Sequence, residues 1–206
     1  NGRNLSEAEA RAIYQDSRVA QVFGVPAQTF NTPTRLIVRD VQLQPESALE
    51  LLDARTELPY SEIKTEVSID RITSQANPRQ VERVPAGAVF GEMVIVYSIF
   101  EFYDEFNGEA RITRPADHFT RDHDIEMLET VFYGMALLED DFLGGLGSRG
   151  SGQIAFEKLH LTVKTTQQYQ NERPLLGTSR EQPTSIADTI NRFGDLRDEL
   201  TAAFGG

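Results

Sequence analysis

The sequence predicts one soluble domain in which helices are mixed with short strands. Two amphipathic patterns, at residues 122–139 and 185–204, predict helices. Segments rich in β-branched and apolar residues predict strands at 35–43, 89–103 and 152–165. The 206 residues, of which 39% are hydrophobic and 25% charged, have the balance of a globular protein and suit a single domain with its own core.

The composition excludes several functional classes. No segment approaches the roughly 20 consecutive apolar residues that a membrane span needs, so we expect no membrane partner. The chain has no cysteine, which excludes disulfides, thiolate zinc sites and a cysteine nucleophile. Together with the lack of a signal-peptide pattern, this predicts a cytoplasmic protein.

The formal net charge of −12 is concentrated in one block. Residues 101–141 hold twelve acidic and three basic side chains, a net of −9, which leaves −3 for the rest of the chain. The block has the composition of a solvated acidic surface. Because attraction of nucleic acid depends on the local potential more than on the total charge, an RNA-binding surface elsewhere is not excluded.

The amino-terminal quarter of the chain predicts a helix, a strand and a shorter helix. Ser6 and Glu9 have the spacing of a capping box, so a helix is expected to begin there and to continue until Gly24. The strand 35–43 follows, and closely spaced leucines predict a short helix over 45–55.

Residues 60–90 are polar and lack the apolar density of a core element. They carry four basic and four acidic side chains and only isolated apolar ones. The pattern predicts an extended or hairpin-like excursion from the domain. Its charged residues are Lys64, Arg71, Arg79, Arg83, Glu62, Glu66, Asp70 and Glu82.

The second half of the chain predicts further strands and two helices. The strand 89–103 is followed by Asn107-Gly108, a tight-turn signal, and by a return strand at 109–113. The apolar stripes of the helices 122–139 and 185–204 are expected to pack in the core, with partner docking as the alternative for the second. Their members are Ile125, Leu128, Phe132, Met135 and Leu138, and Ile186, Ile190, Phe193, Leu196, Leu200 and Phe204.

Residues 143–152, LGGLGSRGSG, form a glycine-rich loop. Gly145, Gly147 and Gly150 match the G-x-G-x-x-G spacing of dinucleotide sites. Those sites lie between a strand and a following helix, however, whereas here the predicted order is helix, loop, strand. A Walker A loop is also excluded, because no lysine follows the last glycine.

The chemistry of the loop nevertheless suits a chain of phosphates. Its five glycines allow close backbone approach and positive φ, so that backbone N–H groups can converge on an anion. Ser148 adds a hydroxyl donor, and Arg149 adds a charged bidentate donor. A purely structural turn is the alternative.

Two segments resemble a known family. TEVSIDRITSQANPRQVERV (65–84) and LEDDFLGGLGSRGSGQIAFEKL (138–159) are similar to the repeated backbone subunit of type III CRISPR–Cas effector complexes, a RAMP-superfamily protein of the Csm kind. The segments 22–24 and 35–43 also fit, so the resemblance covers roughly residues 18–163. It implies an α+β fold, a modified RRM or ferredoxin-like domain.

The resemblance also implies the parts of that domain and its partners. A protruding thumb hairpin corresponds to about 60–90, the RNA-contacting loop to 143–152 and the C-terminal helix to about 185–204. Such subunits bind a guide CRISPR RNA, further RAMP backbone subunits and other type III effector proteins. Their thumbs splay base pairs between guide and target RNA, and the family cuts the target with a divalent metal. Mg²⁺ or Mn²⁺ is therefore the implied cofactor if this chain cleaves RNA.

The matching positions give the residues that the resemblance assigns to RNA. The loop contributes Gly144, Gly145, Gly147, Ser148, Arg149 and Gly150, and the thumb segment contributes Lys64, Arg71, Arg79 and Arg83. Ile69 and Ile72 are candidates for the wedge that displaces a base, with packing inside the thumb as the alternative. The family has an aromatic residue where this chain has Ser151.

The sequence departs from the family at its start. Family members begin with a strand, a glycine-containing turn, an aspartate-bearing loop and a lysine-rich helix, and the principal catalytic aspartate lies in that loop. None of these is present, so the catalytic and metal-binding residues are unknown. Asp40, Glu62, Glu66 and Glu82 are weak candidates, each with a structural role as the alternative. A metal site at His118 and His123 is not expected.

Three hypotheses follow from that departure. The chain is a guide-RNA-binding backbone subunit, a metal-dependent endoribonuclease, or a non-catalytic structural or capping subunit. It is expected to be a fragment, one piece of a split or fused protein, or a divergent copy that does not cut.

Overall fold

The computed structural model describes residues 5–25, 34–54, 56–100 and 120–205. The chain divides into two compact units, Asn1–Ile37 with Val96–Gly206, and Val38–Ile95. The predicted turn at 107–108 and the return strand 109–113 lie outside the described residues.

The first unit begins with two helices, α1 (Glu7–Asp16) and α2 (Arg18–Phe23). The predicted capping box is confirmed, because Ser6 and Glu9 each accept the other's backbone N–H. The single predicted helix is wrong, since Ser17 has extended backbone and its hydroxyl accepts the N–H of Ala20 as the cap of a new helix. Gly24, at φ 90°, ends α2 as predicted.

The core of the first unit lies around a long helix, α4 (Arg121–Asp140), which confirms the helix predicted over 122–139. The predicted carboxy-terminal helix is divided at Arg192 into α5 (Ile186–Asn191) and α6 (Phe193–Phe204). Both pack on α4, so the core role of their apolar stripe is confirmed. The buried members of this cluster are Ile125, Phe132, Val163, Leu175, Leu176, Phe193, Leu196 and Leu200.

The strands of the first unit are shorter than predicted. β5 (Thr162–Val163) pairs with β6 (Arg173–Pro174), but residues 153–161 of the predicted strand 152–165 are irregular. Lys158, at φ 58°, interrupts any extended run there.

The chain has a second pair of short strands. β1 (Leu36–Val38) pairs with β4 (Ile95–Tyr97). The predicted strands 35–43 and 89–103 were too long, since beyond these three-residue pairs only single contacts continue, such as the antiparallel bridge between Leu43 and Phe90. Residues after 100 of the predicted strand lie outside the described part of the chain.

The second unit consists of a short helix and a hairpin. α3 (Pro45–Asp53) confirms the helix predicted over 45–55, with proline at its first turn. β2 (Glu62–Ile69) and β3 (Ala76–Arg83) pair antiparallel over eight positions, from Glu62 opposite Arg83 to Ile69 opposite Ala76. The hairpin-like excursion predicted within 60–90 is therefore confirmed as a hairpin.

None of the helices in the described ranges is long and apolar enough to cross a bilayer.

A fully buried ion pair joins the separate segments of the first unit. The Arg35 side chain, which immediately precedes β1, and Asp124 of α4 are both 0% exposed. Arg35 Nε donates to Asp124 Oδ1 at 2.7 Å, and Arg35 Nη1 donates to the Tyr14 hydroxyl at 3.0 Å and the Gln21 carbonyl at 2.8 Å. The pair therefore fixes α1, α2 and α4 around the start of β1.

Asp124 also accepts hydrogen bonds from Tyr97 and Phe100. Its Oδ2 accepts the Phe100 N–H at 2.9 Å, and its backbone carbonyl accepts the Tyr97 hydroxyl at 2.7 Å. Burial lowers the pKa of Arg35, but its hydrogen bonds to Asp124 and Tyr14 outweigh this and raise the pKa overall, so the guanidinium stays charged. Burial and the charge of Asp124 raise the pKa of Tyr97, which stays protonated as the donor.

Asp124→Asn keeps the size of the side chain and removes the charge that faces Arg35. We expect the free energy of unfolding to fall by about 3–5 kcal/mol, because a guanidinium would remain buried without its counter-charge. Urea unfolding of the purified protein measures the change. Glu126→Gln is the matched control, since Glu126 is exposed on the same helix, and it should change stability by less than about 0.5 kcal/mol. Equal losses in the two variants would contradict a central role for the pair.

Candidate nucleic-acid interface

The glycine-rich loop follows α4 and is closed by a backbone hydrogen bond, from the Leu143 N–H to the Gly152 carbonyl at 2.8 Å. At its centre Gly147–Arg149 forms one turn of 3₁₀ helix. Leu146 at φ 64° and Gly150 at φ 78° flank that turn, and both lie in the left-handed region. The positive φ values expected from the glycines are confirmed at Gly144, Gly150 and Gly152.

Two glycines of the loop are required by close contacts. A Cβ on Gly152, which also has φ 84°, would lie 2.3 Å from the Leu143 carbonyl oxygen. A Cβ on Gly147 would lie 1.9 Å from the Phe142 ring. No atom lies within 4 Å of the corresponding position on Gly145. Gly147 and Gly152 therefore shape the loop, whereas Gly145 leaves its outer surface open.

The loop presents side chains to solvent more than backbone amides. The N–H groups of Arg149, Gly150 and Ser151 donate to the carbonyls of Leu146 and Gly147, so those three amides are used within the turn. Ser148 and Arg149 are exposed. The hydroxyl and the guanidinium are the groups that suit a phosphate, and Arg149 is the one cation of residues 143–152.

The hairpin has two chemically different faces. Side chains alternate along a strand, and residues paired across the strands share a face. One face carries charged side chains from both strands, and we call it the charged face. Its charged members are Glu62, Lys64, Glu66, Arg79 and Arg83. The opposite face carries Ile63, Thr65, Val67 and Ile69 of β2, and it is mainly apolar.

Two of the three cations of the charged face lie opposite carboxylates, whereas Lys64 lies opposite Val81. Arg83 Nε forms an ion pair with Glu62, and Arg79 is the cross-strand neighbour of Glu66. The basic residues that the resemblance assigns to RNA are therefore partly neutralised by the hairpin itself. Sequence reasoning could not find this pairing, because it depends on the register of the two strands.

The tip of the hairpin is held by side-chain hydrogen bonds and ends in an exposed apolar side chain. Asp70 Oδ1 accepts the N–H of Ile72 at 2.8 Å and of Thr73 at 3.2 Å, and these bonds lower the pKa of the Asp70 carboxyl. Ile72 is 94% exposed and Ile69 is 67% exposed. The alternative that these isoleucines pack within the hairpin is therefore wrong, and both are open for contact with another molecule.

The carboxylates considered for catalysis do not come together. Glu62 and Glu66 share the charged face, but Glu62 is paired with Arg83, and Glu82 lies on the opposite face, where it accepts the Ser61 hydroxyl at 2.7 Å. Asp40 is exposed just after β1. Across the described ranges, no group of three His, Asp or Glu side chains is placed to hold a metal ion. The structure therefore does not gather the four carboxylates into one group.

One histidine of the sequence pair lies in the described part of the chain. His118 lies outside the described residues, and His123 Nε2 is 2.6 Å from the Gln21 side-chain oxygen. Gln21 in turn donates to the backbone carbonyls of Tyr14 and Gln15, so His123 belongs to the buried region that holds α1, α2 and α4 together.

Comparison with known proteins agrees with the two motifs. No family model matches the chain. A protein of Methanocaldococcus jannaschii named CRISPR system Cms endoribonuclease Csm3 is 30% identical over 195 residues, which are 93% of this chain and 64% of that protein. Proteins of the same name from Streptococcus thermophilus and Methanothermobacter thermautotrophicus are 39% and 36% identical over 63% and 75% of this chain. The chain is homologous to the Csm3 proteins.

Homology to Csm3 confirms the resemblance to the backbone subunit of type III CRISPR complexes. The mixture of helices and small antiparallel sheets is the α+β composition expected of such a subunit. The chain spans about half to two thirds of the length of these Csm3 relatives, 49% of the Streptococcus protein and 59% of the Methanothermobacter protein.

Gly152→Ala tests how the loop is closed. The added methyl group would meet the Leu143 carbonyl and would be strained at φ 84°, so we expect the stem to open and the Leu143 N–H to exchange with solvent faster. Hydrogen exchange measures this at one amide. Gly145→Ala is the matched control, because its methyl group meets no neighbour, and the exchange rate of the Leu143 N–H should stay the same. Equal exchange in both variants would contradict the loop geometry.

Proposed function

We propose that this chain is the CRISPR RNA-binding backbone subunit of a type III effector complex. It holds the guide RNA with the glycine-rich loop and kinks the guide–target duplex with the hairpin. The single observation that carries the proposal is that a homologue of Csm3 presents both motifs on exposed surfaces, Arg149 on the loop and Ile72 at the hairpin tip. Guide RNA, target RNA, further backbone subunits and other effector proteins are the proposed partners.

The loop is suited to the guide backbone. Gly144, Gly145 and Gly150 leave space for a close approach of phosphates, and Ser148 and Arg149 supply donors. Contacts of this kind position RNA without reading its sequence, as a subunit that carries many different guides requires.

The hairpin is suited to separate stacked bases. Ile72 stands at a tip that Asp70 holds in one conformation, and Ile69 continues the apolar face behind it. An apolar side chain placed between bases unstacks them and kinks the duplex, and a rigid wedge pays less entropy to do so. Arg71 at the tip, with Lys64, Arg79 and Arg83 on the charged face, lies along the path of the RNA.

Cleavage of the target RNA is the second part of the proposal. The Csm3 relatives are named endoribonucleases, and a divalent ion such as Mg²⁺ or Mn²⁺ would stabilise the developing charge on the cleaved phosphate. Because Asp40, Glu62, Glu66 and Glu82 are not gathered into one group, we assign the catalytic role to none of them. The relatives' names favour this function over a structural or capping subunit.

Arg149→Ala removes the one cation of the loop. Guide RNA should bind more weakly, and the slope of log affinity against log salt should become shallower by about 0.7–1, because one phosphate contact is lost. Filter binding of guide RNA to the assembled complex at several salt concentrations measures both. Arg197→Ala is the control, since Arg197 is an exposed cation on α6 next to Asp198, and it should leave the slope unchanged. An unchanged slope for Arg149→Ala would exclude the loop as a phosphate contact.

Ile72→Ser tests the wedge. We expect less unstacking at the kinked position, because a small polar side chain no longer fills the space between bases. The measurement is the fluorescence of 2-aminopurine placed at each position of the guide–target duplex, which rises where a base is unstacked. Leu49→Ser is the control, since Leu49 is an exposed apolar residue of the same unit, on α3. A fluorescence pattern that Ile72→Ser does not change would assign the kink to another residue.

A further inference from the structure

A groove of about 550 Å³ lies at the base of the hairpin, within the second unit. Its walls come from the segment before α3, from α3 itself, and from the two ends of the hairpin. The residues that define it are Leu43, Ala48, Tyr60, Glu82, Val84 and Phe90. The groove is therefore mostly apolar and lies at the opposite end of the hairpin from the Ile72 tip.

The second unit has little core of its own. Among its described residues, Leu51 is the one large apolar side chain that is buried. Tyr60, Val84 and Phe90 of the groove are 43%, 53% and 45% exposed. A unit of this size that leaves contiguous apolar side chains in water is typical of a surface that another molecule covers.

One residue that lines the groove has an unusual backbone conformation. Tyr60 has φ 67°, a left-handed conformation that is strained for a bulky residue. Non-glycine residues in this conformation persist where the surrounding structure enforces them, and they concentrate at binding sites. The strained residue here is Tyr60, one of the two aromatic residues that line the groove.

The charge of the groove selects protein over RNA as its occupant. Its one ionised side chain is Glu82, held in place by the Ser61 hydroxyl at 2.7 Å. A carboxylate repels phosphates, and the groove contributes no cation to offset that repulsion. An apolar protein segment with a neighbouring arginine or lysine is complementary to it.

The chain itself exposes such a segment, α2, which has apolar side chains next to an arginine. Val19 and Phe23 of α2 are 58% and 50% exposed, and their spacing of four residues places them on one face of the helix. Arg18 precedes them, and its contact with Glu129 is long, 3.9 Å, between an exposed arginine and a partly buried glutamate, so it contributes little to holding the arginine. Two apolar anchors four residues apart are the usual recognition pattern of a helix in a groove.

We propose that the groove at the base of the hairpin binds α2 of a second copy of this chain. Phe23 and Val19 of one copy enter the groove beside Tyr60 and Val84 of the other, and Arg18 faces Glu82. This deepens the proposed function and rests on it, because it names the surface through which backbone subunits contact one another. Since the two surfaces differ, each copy offers both, and further copies can be added in the same way.

The absence of cysteine makes a direct test possible. One tagged chain carries Phe23→Cys and a differently tagged chain carries Val84→Cys, and the two are assembled together and oxidised. We expect a disulfide-linked pair of twice the chain mass that carries both tags. Tyr169→Cys in place of Phe23→Cys is the matched control, since Tyr169 is an exposed aromatic residue of the first unit outside α2, and no linked pair should form. Both substituted residues of the test pair are half exposed, so the fold should tolerate them.

Phe23→Glu provides a second measurement without oxidation. A carboxylate at this position would face an apolar groove and Glu82, so we expect the dissociation constant for self-association to rise by about tenfold or more. A linked pair that fails to form, together with unchanged association of Phe23→Glu, would overturn the docking. RNA extracted from the same assemblies separates the two proposals. CRISPR RNA in an assembly that shows neither a linked pair nor weaker association of Phe23→Glu leaves the function standing and overturns the docking. A linked pair in an assembly without CRISPR RNA overturns the proposed function and leaves the contact between the two copies standing.

Discussion

The buried pair of Arg35 and Asp124 is the constraint on which the first unit depends. Residues far apart in sequence meet there, since the pair contacts α1 through Tyr14 and the segment after β4 through Phe100. A buried guanidinium is tolerated only where its counter-charge and hydrogen bonds are all in place, so the pair specifies one arrangement of these segments. That arrangement fixes α4, which carries the glycine-rich loop at its carboxyl end, and the strands β1 and β4, through which the chain enters and leaves the second unit.

In the second unit, the alternation of side chains along the strands, and not burial, determines which side chains lie on each face of the hairpin. The register that pairs Glu62 with Arg83 also gathers Val67 and Ile69 on the other face. Charges on one face largely compensate one another, and apolar side chains on the other remain in water. An acidic protein can contact RNA despite its net negative charge, because the main proposed contacts are local: one arginine on the loop and one isoleucine at the hairpin tip.

Several elements of the fold could be predicted from the sequence. Local signals were sufficient for the capping box at Ser6, for α3, for α4 and for the hairpin, because caps, periodicity and turn residues act over a few positions. The single helix expected to run to Phe23 failed at Ser17, whose hydroxyl caps a new helix. Strand lengths failed at Lys158, where a left-handed residue interrupts the predicted strand. The Arg35–Asp124 pair and the groove at Tyr60 could not be predicted, because they join residues brought together only by the fold.

If this chain binds guide RNA as a backbone subunit, that RNA is present in its native assembly. The assembly is purified from cells, and its RNA is extracted and sequenced. We expect discrete CRISPR RNAs that share a repeat-derived 5′ tag. An assembly free of RNA, or one that contains only heterogeneous cellular RNA, would exclude guide binding and would make the chain a scaffold on which the two motifs have lost their role.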